Sequence, residues 1–360
     1  MDKINIKNKT VLALVDFFLP MEHILPTITA LAARKNRVIV VSYFDETSLA
    51  NHAGMMAEAL RRKFIILHDS ITKLPEYDIP HLYFARNIKL LPQMRAGDIA
   101  VLENLAFFSK EQIIQLKGMV QLLVNDFFGA PEEAVKLLAK NLPVQNGLEF
   151  TRTQKNLELF SSRGKKPFVL ILGGARMAGK ETLIDKLMRK ADTILVGGGA
   201  ANLFFKLQGL EVGKSFSDAS ASETLVKKMR RDYKSKIKLP VDVIVSTDQA
   251  GSPDCIKPEK VKIHQMILDI GPATTLEFSK FIKDGRTLVW LGALGHVEQS
   301  RFKHGTAALL RLFASRSPRS HTVIAASGET VLPILQSEGF LNQMDLAIPN
   351  TLGLLTALTK

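Results

Sequence analysis

Hydrophobic positions along the chain follow two alternating patterns. Short apolar runs of four or five residues end in polar or glycine positions, and longer stretches between them repeat apolar residues every three or four. The first pattern predicts buried strands and the second amphipathic helices. In the first half, Val11–Val15 and Arg37–Val41 read as strands around a helix from about Ile24 to Ala33. A helix from about Leu49 to Leu60 leads to a strand at Phe64–Leu67, and Ile99–Leu102 and Gln121–Val124 are strands separated by a helical Lys110–Lys117. Residues 68–98 hold three prolines and predict only loops and short elements. From Leu142 to Arg163 the pattern turns helical and polar. Beyond it the alternation resumes, with strands at Phe168–Leu172, Thr193–Val196, Asp242–Val245, Thr287–Trp290 and Thr322–Ala325.

Strand–helix alternation on both sides of a polar connector predicts an α/β chain of two doubly wound parallel-sheet domains around a cleft. The expected division is residues 1–150 for an N-terminal α/β domain, 151–165 for a helical connector, 166–345 for a C-terminal α/β domain and 346–360 for a tail.

The most informative stretch is Phe168 to Thr182, FVLILGGARMAGKET. Its apolar run reads as a buried strand, and Gly173 and Gly174 remove side chains where that strand ends. The backbone can turn there and approach a ligand at the carboxyl edge of the sheet. Arg176 and Lys180 follow four residues apart, where a helix begins. Backbone N–H groups, a helix start and two cations together favour an anion, above all phosphate. From Gly174 the stretch also spells the start of a Walker A loop, but Glu181 stands where Ser or Thr would hold Mg²⁺. The bland reading is a tight turn with surface cations.

Composition narrows the class without choosing a ligand. The chain has 360 residues, 46% of them hydrophobic and 23% charged, as in an ordinary globular protein. Its one cysteine, Cys255, excludes an intramolecular disulfide framework and fits a reducing compartment. The N-terminus lacks an apolar signal segment and no apolar run reaches membrane-spanning length, so a cytoplasmic location is expected. Forty-eight Lys and Arg against 35 Asp and Glu give a formal charge of +13, a field that attracts anions of any kind. Clusters such as Arg61-Arg62-Lys63 and Lys227-Lys228-Met229-Arg230-Arg231 read as solvated helix faces. No aromatic interleaving marks a nucleic-acid site.

An ordered set of segments resembles the phosphoglycerate kinase family over nearly the whole chain. PFVLILGGARMAGK and ILVGGGAANLFFKLQGLEVGKS resemble its nucleotide-domain motifs. KTVLALVDFFLP, VLENLAFF and LVNDFFGA resemble its first-half motifs, and LPVDVIV, LDIGPAT, LVWLGALGHVE and VIAASGET follow in family order. The resemblance implies phosphoglycerate bound by the first half and ADP or ATP with Mg²⁺ by the second. It assigns Arg176 and Lys180 to catalysis and Gly173, Gly174, Gly197, Gly198 and Gly199 to the nucleotide turns. Glu298 matches the ribose carboxylate, and Gly271 with Pro272 the turn near adenine. Ser327, Gly328, Glu329 and Thr330 match the turn at the phosphates, with Glu329 at the metal, and Asp16 is the one substrate-binding residue kept from the first strand motif.

Other family positions have changed. Leu14 and Phe18 stand for the arginine and asparagine of the first-strand motif, and the loop after Pro20 is short. Ser42-Tyr43-Phe44-Asp45-Glu46 replaces a motif ending in arginine, with a carboxylate at Glu46. Ala106 and Phe108 replace an arginine and a histidine, and Pro131-Glu132-Glu133-Ala134 replaces a histidine-arginine-histidine turn. In the second half Arg176 replaces a lysine, Leu291 an asparagine, Ala293 a proline and Glu329 an aspartate. His23, Arg86 and Arg95 are the replacement cations the first half offers from elsewhere. Hydrogen bonds to charged groups contribute roughly 1.5–3 kcal/mol each, so losing several removes phosphoglycerate binding by orders of magnitude. The family reaction transfers phosphate between 1,3-bisphosphoglycerate and ADP, in glycolysis, by a phosphotransferase acting on a carboxyl acceptor. The alternatives are a catalytically silent pseudoenzyme that binds nucleotide or serves as a scaffold, and a kinase for another small carboxylate or alcohol. The expected partner is an adenine nucleotide, and the replaced cations count against a small phosphorylated metabolite.

Overall fold

The computed structural model describes residues 5–43, 47–68, 70–75, 79–130, 132–174, 176–316 and 322–359. The chain divides into two compact units, Met1–Lys155 and Asn156–Lys360, and the division falls within the helix Leu148–Arg163.

In the first unit the apolar runs become seven parallel strands: β1 (Thr10–Leu14), β2 (Arg37–Val41), β3 (Phe64–Leu67), β4 (Leu82–Ala85), β5 (Ile99–Leu102), β6 (Leu122–Asn125) and β7 (Val144–Asn146). Their order across the sheet is β3-β4-β5-β2-β1-β6-β7. Strand periodicity of two divides the side chains between two cores. Val11, Ala13, Val38 and Val40 pack on one face with Ile24, Ile28 and Met56 from the helices Met21–Ala32 and Ala50–Ala59. Leu12, Leu14, Ile39 and Leu123 pack on the other with Ile113, Leu116 and Leu138 from the helices Lys110–Gly118 and Glu132–Ala139. Helices on both faces make the sheet doubly wound. The segment 68–98, expected to hold only loops and short elements, supplies the four-residue β4 to the sheet interior between β3 and β5.

The second unit forms β8 (Phe168–Leu172), β9 (Thr193–Val196), β10 (Ile237–Lys238), β11 (Val243–Ser246), β12 (Asp254–Ile256), β13 (Met266–Ile270), β14 (Thr287–Leu291), β15 (Val323–Ser327) and β16 (Leu346–Ile348). Six of these make a parallel sheet in the order β10-β9-β8-β14-β15-β16. Residues 346–360, read from the sequence as a tail, thus supply an edge strand. The remaining three form a separate antiparallel sheet, β12-β11-β13, so the strand expected at Asp242–Val245 does not join the parallel one. Trp290 anchors the core with its ring edge on Phe313, centroids 5.4 Å apart, while its Nε1 donates to the Gly292 carbonyl at 2.7 Å.

Topology fixes where a ligand can sit. From β8 the chain winds outward through β9 and β10, then returns to β14 on the other side of β8 and winds outward again. The reversal opens the crevice at the carboxyl ends of β8 and β14, the usual ligand position in open α/β sheets. In the first unit the same reversal lies between β1 and β6.

Candidate functional site

The carboxyl ends of β8, β14 and β15 meet backbone to backbone. Gly173 N donates to Leu291 O at 2.7 Å, Gly174 N to Ala293 O at 2.6 Å, and Gly292 N to Ser327 O at 2.9 Å. Gly292 has φ +73°, and a Cβ there would lie 2.8 Å from the Gly174 Cα. Any side chain would push two strand ends apart, so glycine is required twice over, by conformation and by contact. Gly198 joins the same floor through its N–H to Leu294 O at 2.9 Å, with φ +56° and no room for a Cβ beside Ala293 O. Gly197 precedes it as the cap of the helix Gly198–Lys206, and Gly328 closes the other side, next to Gly292.

Charges gather over this floor. Lys180 caps the helix Glu181–Lys190, its side chain half-buried, with Nζ donating to the Arg176 carbonyl at 3.3 Å. Burial lowers the Lys180 pKa, neighbouring Glu329 and Asp218 push it back up, and Arg176 pushes it down again. Two cations and two carboxylates therefore share one neighbourhood. Such a set suits a metal–phosphate ligand, with cations for phosphate oxygens and a carboxylate for the ion.

Asp218 was not singled out from the sequence, yet it holds the loop that carries these cations. Its Oδ2 accepts from Met177 N at 2.8 Å and Ala178 N at 2.9 Å, and its Oδ1 from Ser220 N at 3.1 Å and Ser220 Oγ at 2.6 Å. Burial opposes its charge, but these donors outweigh burial and bring its pKa down to about 2. The sequence signal was the carboxylate two residues before Ser220, a turn-forming spacing.

Beside the floor opens a hollow of about 390 Å³, lined by Gly174, Gly198, Gly199, Thr330 and Glu298, and by apolar Phe216, Met266, Leu268 and Leu294. Glu298 stands at the rim, exposed, 3.4 Å from His296 Nδ1. Asp269 lies beneath, buried, accepting from Gly305 N and Thr306 Oγ1, with burial raising its pKa to about 6. Ser327 is fully buried and donates to Pro349 O. Gly271 and Pro272 do not line this hollow. They start the helix Pro272–Asp284, capped by Asp242, and Pro272 lines a separate apolar hollow of about 530 Å³ with Leu276, Arg301 and His304.

The matching crevice of the first unit is built differently. Leu14 lies inside the core, and Asp16 is buried at the turn after β1, accepting from Phe18 N at 3.0 Å. Phe18, Tyr43 and Phe108 are half-buried and Ala106 is exposed. Phe44, Asp45, Glu46 and Pro131 lie outside the described residues, as do the side chains of Glu132 and Ala134. Of the substitute cations, His23 is buried against Glu149, 3.3 Å away, and against Arg152. Arg86 is exposed with Nε 3.8 Å from Glu103, and Arg95 is exposed beside Lys73 and Tyr83.

Two doubly wound units, one with a glycine floor at its switch point and a charged loop leaving it, define an α/β protein of two parallel sheets. The family profile of phosphoglycerate kinase matches residues 1–345, and the chain belongs to that family. A phosphoglycerate kinase of Pelotomaculum thermopropionicum is 31% identical over 337 residues, covering 86% of this chain and 84% of its own. One from Moorella thermoacetica is 30% identical, covering 87% and 84%. Among solved structures, phosphoglycerate kinase from Pyrococcus horikoshii superposes with a TM-score of 0.76 at 21% identity. That from Coxiella burnetii superposes with a TM-score of 0.64 at 24% identity; each covers 99% of this chain and 94% of its own, and both bear on the fold alone. No helix among the described residues is long and apolar enough to cross a membrane.

Proposed function

We propose that the second unit binds an adenine nucleotide with Mg²⁺ and that the chain does not phosphorylate 3-phosphoglycerate. The observation that carries the first part is the glycine floor at the carboxyl ends of β8, β14 and β15, followed in the chain by a loop that Asp218 clamps at Met177 and Ala178 and that ends at Lys180, a neighbour of Glu329. In this reading Lys180 and Arg176 contact the phosphates and the floor glycines admit them closely. Glu298 takes the ribose, and the apolar slot by Phe216 takes the base. Glu329 would help hold Mg²⁺, an ion that ordinarily uses one or two carboxylates together with phosphate oxygens. The ion would supply charge neutralisation of the phosphates. The chain's own residues position the nucleotide.

The second part rests on the first unit. Phosphoryl transfer depends on positioning both substrates and neutralising charge, with little covalent work by the protein. At the family's anion positions stand a core leucine, half-buried aromatics and an alanine, and His23 is already paired with Glu149. A trianionic acceptor has no compensating cation at those positions. The name shared by relatives at 30–31% identity favours a second reading, an active phosphoglycerate kinase. A coupled assay with 3-phosphoglycerate and ATP, on protein free of host enzyme, separates the two. We expect turnover at background level while calorimetry still detects MgADP. Robust turnover would overturn the second part, and no MgADP binding at millimolar concentration would overturn the first.

A further inference from the structure

The apolar hollow of about 530 Å³ in the second unit has no part in the nucleotide reading. Asp269 is the one residue it shares with the hollow beside the glycine floor, among the described residues. Pro272, Thr275, Leu276 and Ser279 line it from the helix Pro272–Asp284, at the spacing of one helix face. His304 and Ala308, four apart, line it from the helix His304–Ser315. Ile244 of β11 and Ile270 of β13 add apolar surface. Leu276 keeps 65% of its surface exposed, so this apolar wall stands in water. Small-molecule sites run from about 300 to 1,000 Å³ and are mostly apolar, with a few placed polar groups. This hollow has that size and that composition.

Its polar groups set the charge of the occupant. Asp269 is the one carboxylate on the lining, and the protein already uses it: it is buried and accepts from Gly305 N and Thr306 Oγ1. Those donors lie at the start of the helix His304–Ser315, whose dipole answers its charge. Thr275 and Ser279 donate their hydroxyls to the carbonyls of Gly271 and Leu276. Arg301 and His304 remain as donors. Arg301 is exposed, and its Nη1 reaches the carbonyls of Ala250 and Gly251, near Pro253 on the same lining. Its Nε and Nη2 make no hydrogen bond among the described residues. That edge of a guanidinium matches a carboxylate with two parallel bonds, and turning an exposed side chain is enough to present it. We infer that this hollow is a second ligand site, for a small amphipathic monoanion. Its apolar body lies between the two helices, and its carboxylate or sulfonate head pairs with Arg301. The site stands apart from the nucleotide reading, and neither falls with the other.

Octanoate, octanol and octylammonium share one chain and differ in the charge of the head, and calorimetry on the full chain compares them. We expect octanoate to bind at least about tenfold more tightly than octanol, the size of one charged hydrogen bond, and octylammonium more weakly than either. The overall charge of +13 favours octanoate everywhere on the surface, so two variants locate the effect. Arg301 and Ala308 are both exposed, and replacing them leaves the core intact. Ala308→Phe fills the hollow and should weaken octanoate and octanol alike. Arg301→Gln should bring the octanoate-to-octanol ratio towards one with octanol unchanged, and Arg301→Lys should restore most of the preference. A purely structural Arg301, pinning the loop at Ala250, would instead change both probes together and leave the ratio intact. Four results would each overturn the proposal: no octanoate binding at millimolar concentration, a ratio near one in the unmodified chain, a ratio unchanged in Arg301→Gln, or binding indifferent to Ala308→Phe.

Discussion

Single side chains carry the most direct tests. Lys180 is the cation that the fold partly buries beside carboxylates, so its removal should be felt by phosphates more than by the fold. Lys180→Ala is expected to weaken MgADP binding by about 1.5–3 kcal/mol, the range for a hydrogen bond to a charged group, read by calorimetry. Asp126, after β6, tells of pH instead. Its Oδ1 accepts from Phe150 N at 2.9 Å, while its Oδ2 is buried without a hydrogen bond among the described residues. Burial, opposed by bonds from Thr27 and Phe150 and aided by Glu149, raises its pKa to about 6. A carboxyl whose folded pKa lies above its unfolded one favours the fold when protonated. Its contribution is therefore full below about pH 4 and lost as pH rises through 6. Asp126→Asn should flatten that part of the stability profile and raise stability at pH 8 by roughly 1–3 kcal/mol, seen in denaturant melts from pH 5 to 8.

At the level of elements, the loop from Arg176 to Lys180 is shaped by a residue forty positions further along the chain. Asp218→Ala would leave Met177 N and Ala178 N without their acceptor, and we expect a loss of about 2–3 kcal/mol in stability together with weaker MgADP binding. Because the Asp218 pKa is held near 2, the clamp persists above about pH 4 and releases only as pH falls towards 2. Hydrogen exchange at Met177 and Ala178 across pH 3–5 checks the lower limit. Long apolar runs were legible in the sequence: Arg37–Val41, Phe64–Leu67, Ile99–Leu102, Phe168–Leu172 and Thr193–Val196 form strands over the residues expected. Leu82–Ala85 was not, since four residues between Pro80 and Arg86 carry too little periodicity and gain their strand from β3 and β5 on either side. The antiparallel sheet was also hidden. Asp242–Val245 looks like any buried strand, and only its pairing with Asp254–Ile256 and Met266–Ile270 removes it from the parallel set. Gly173 and Gly174 announced the floor, but Gly292 is legible only once β14 lies beside β8.

For the molecule as a whole, the charge is unevenly shared. Residues 1–155 hold 19 Lys and Arg against 16 Asp and Glu, and residues 156–360 hold 29 against 19, so ten of the thirteen surplus charges belong to the second unit. A unit with that surplus attracts a polyphosphate from a distance, and salt screens the attraction beyond about 10 Å at 0.1 M. The association rate of MgADP should fall several-fold between 50 and 500 mM salt while dissociation changes little, which stopped-flow fluorescence would show. The same surplus does nothing for a second substrate in the first unit. In the proposed reading recognition there needs cations at contact distance, and the positions where the family resemblance expects them hold Leu14, Ala106 and Phe108.

The backbone floor beneath Lys180 has a consequence for how such a chain ages. A Cβ on Gly292 would strike Gly174 whether or not any ligand is ever bound. Selection for a folded sheet alone is thus enough to keep the floor glycine, generation after generation. Cations and carboxylates at the rim enjoy no such protection, because exchanging one of them leaves the strands where they are. The glycine floor therefore reports on folding, and only a charge at its rim such as Lys180 can report on a ligand.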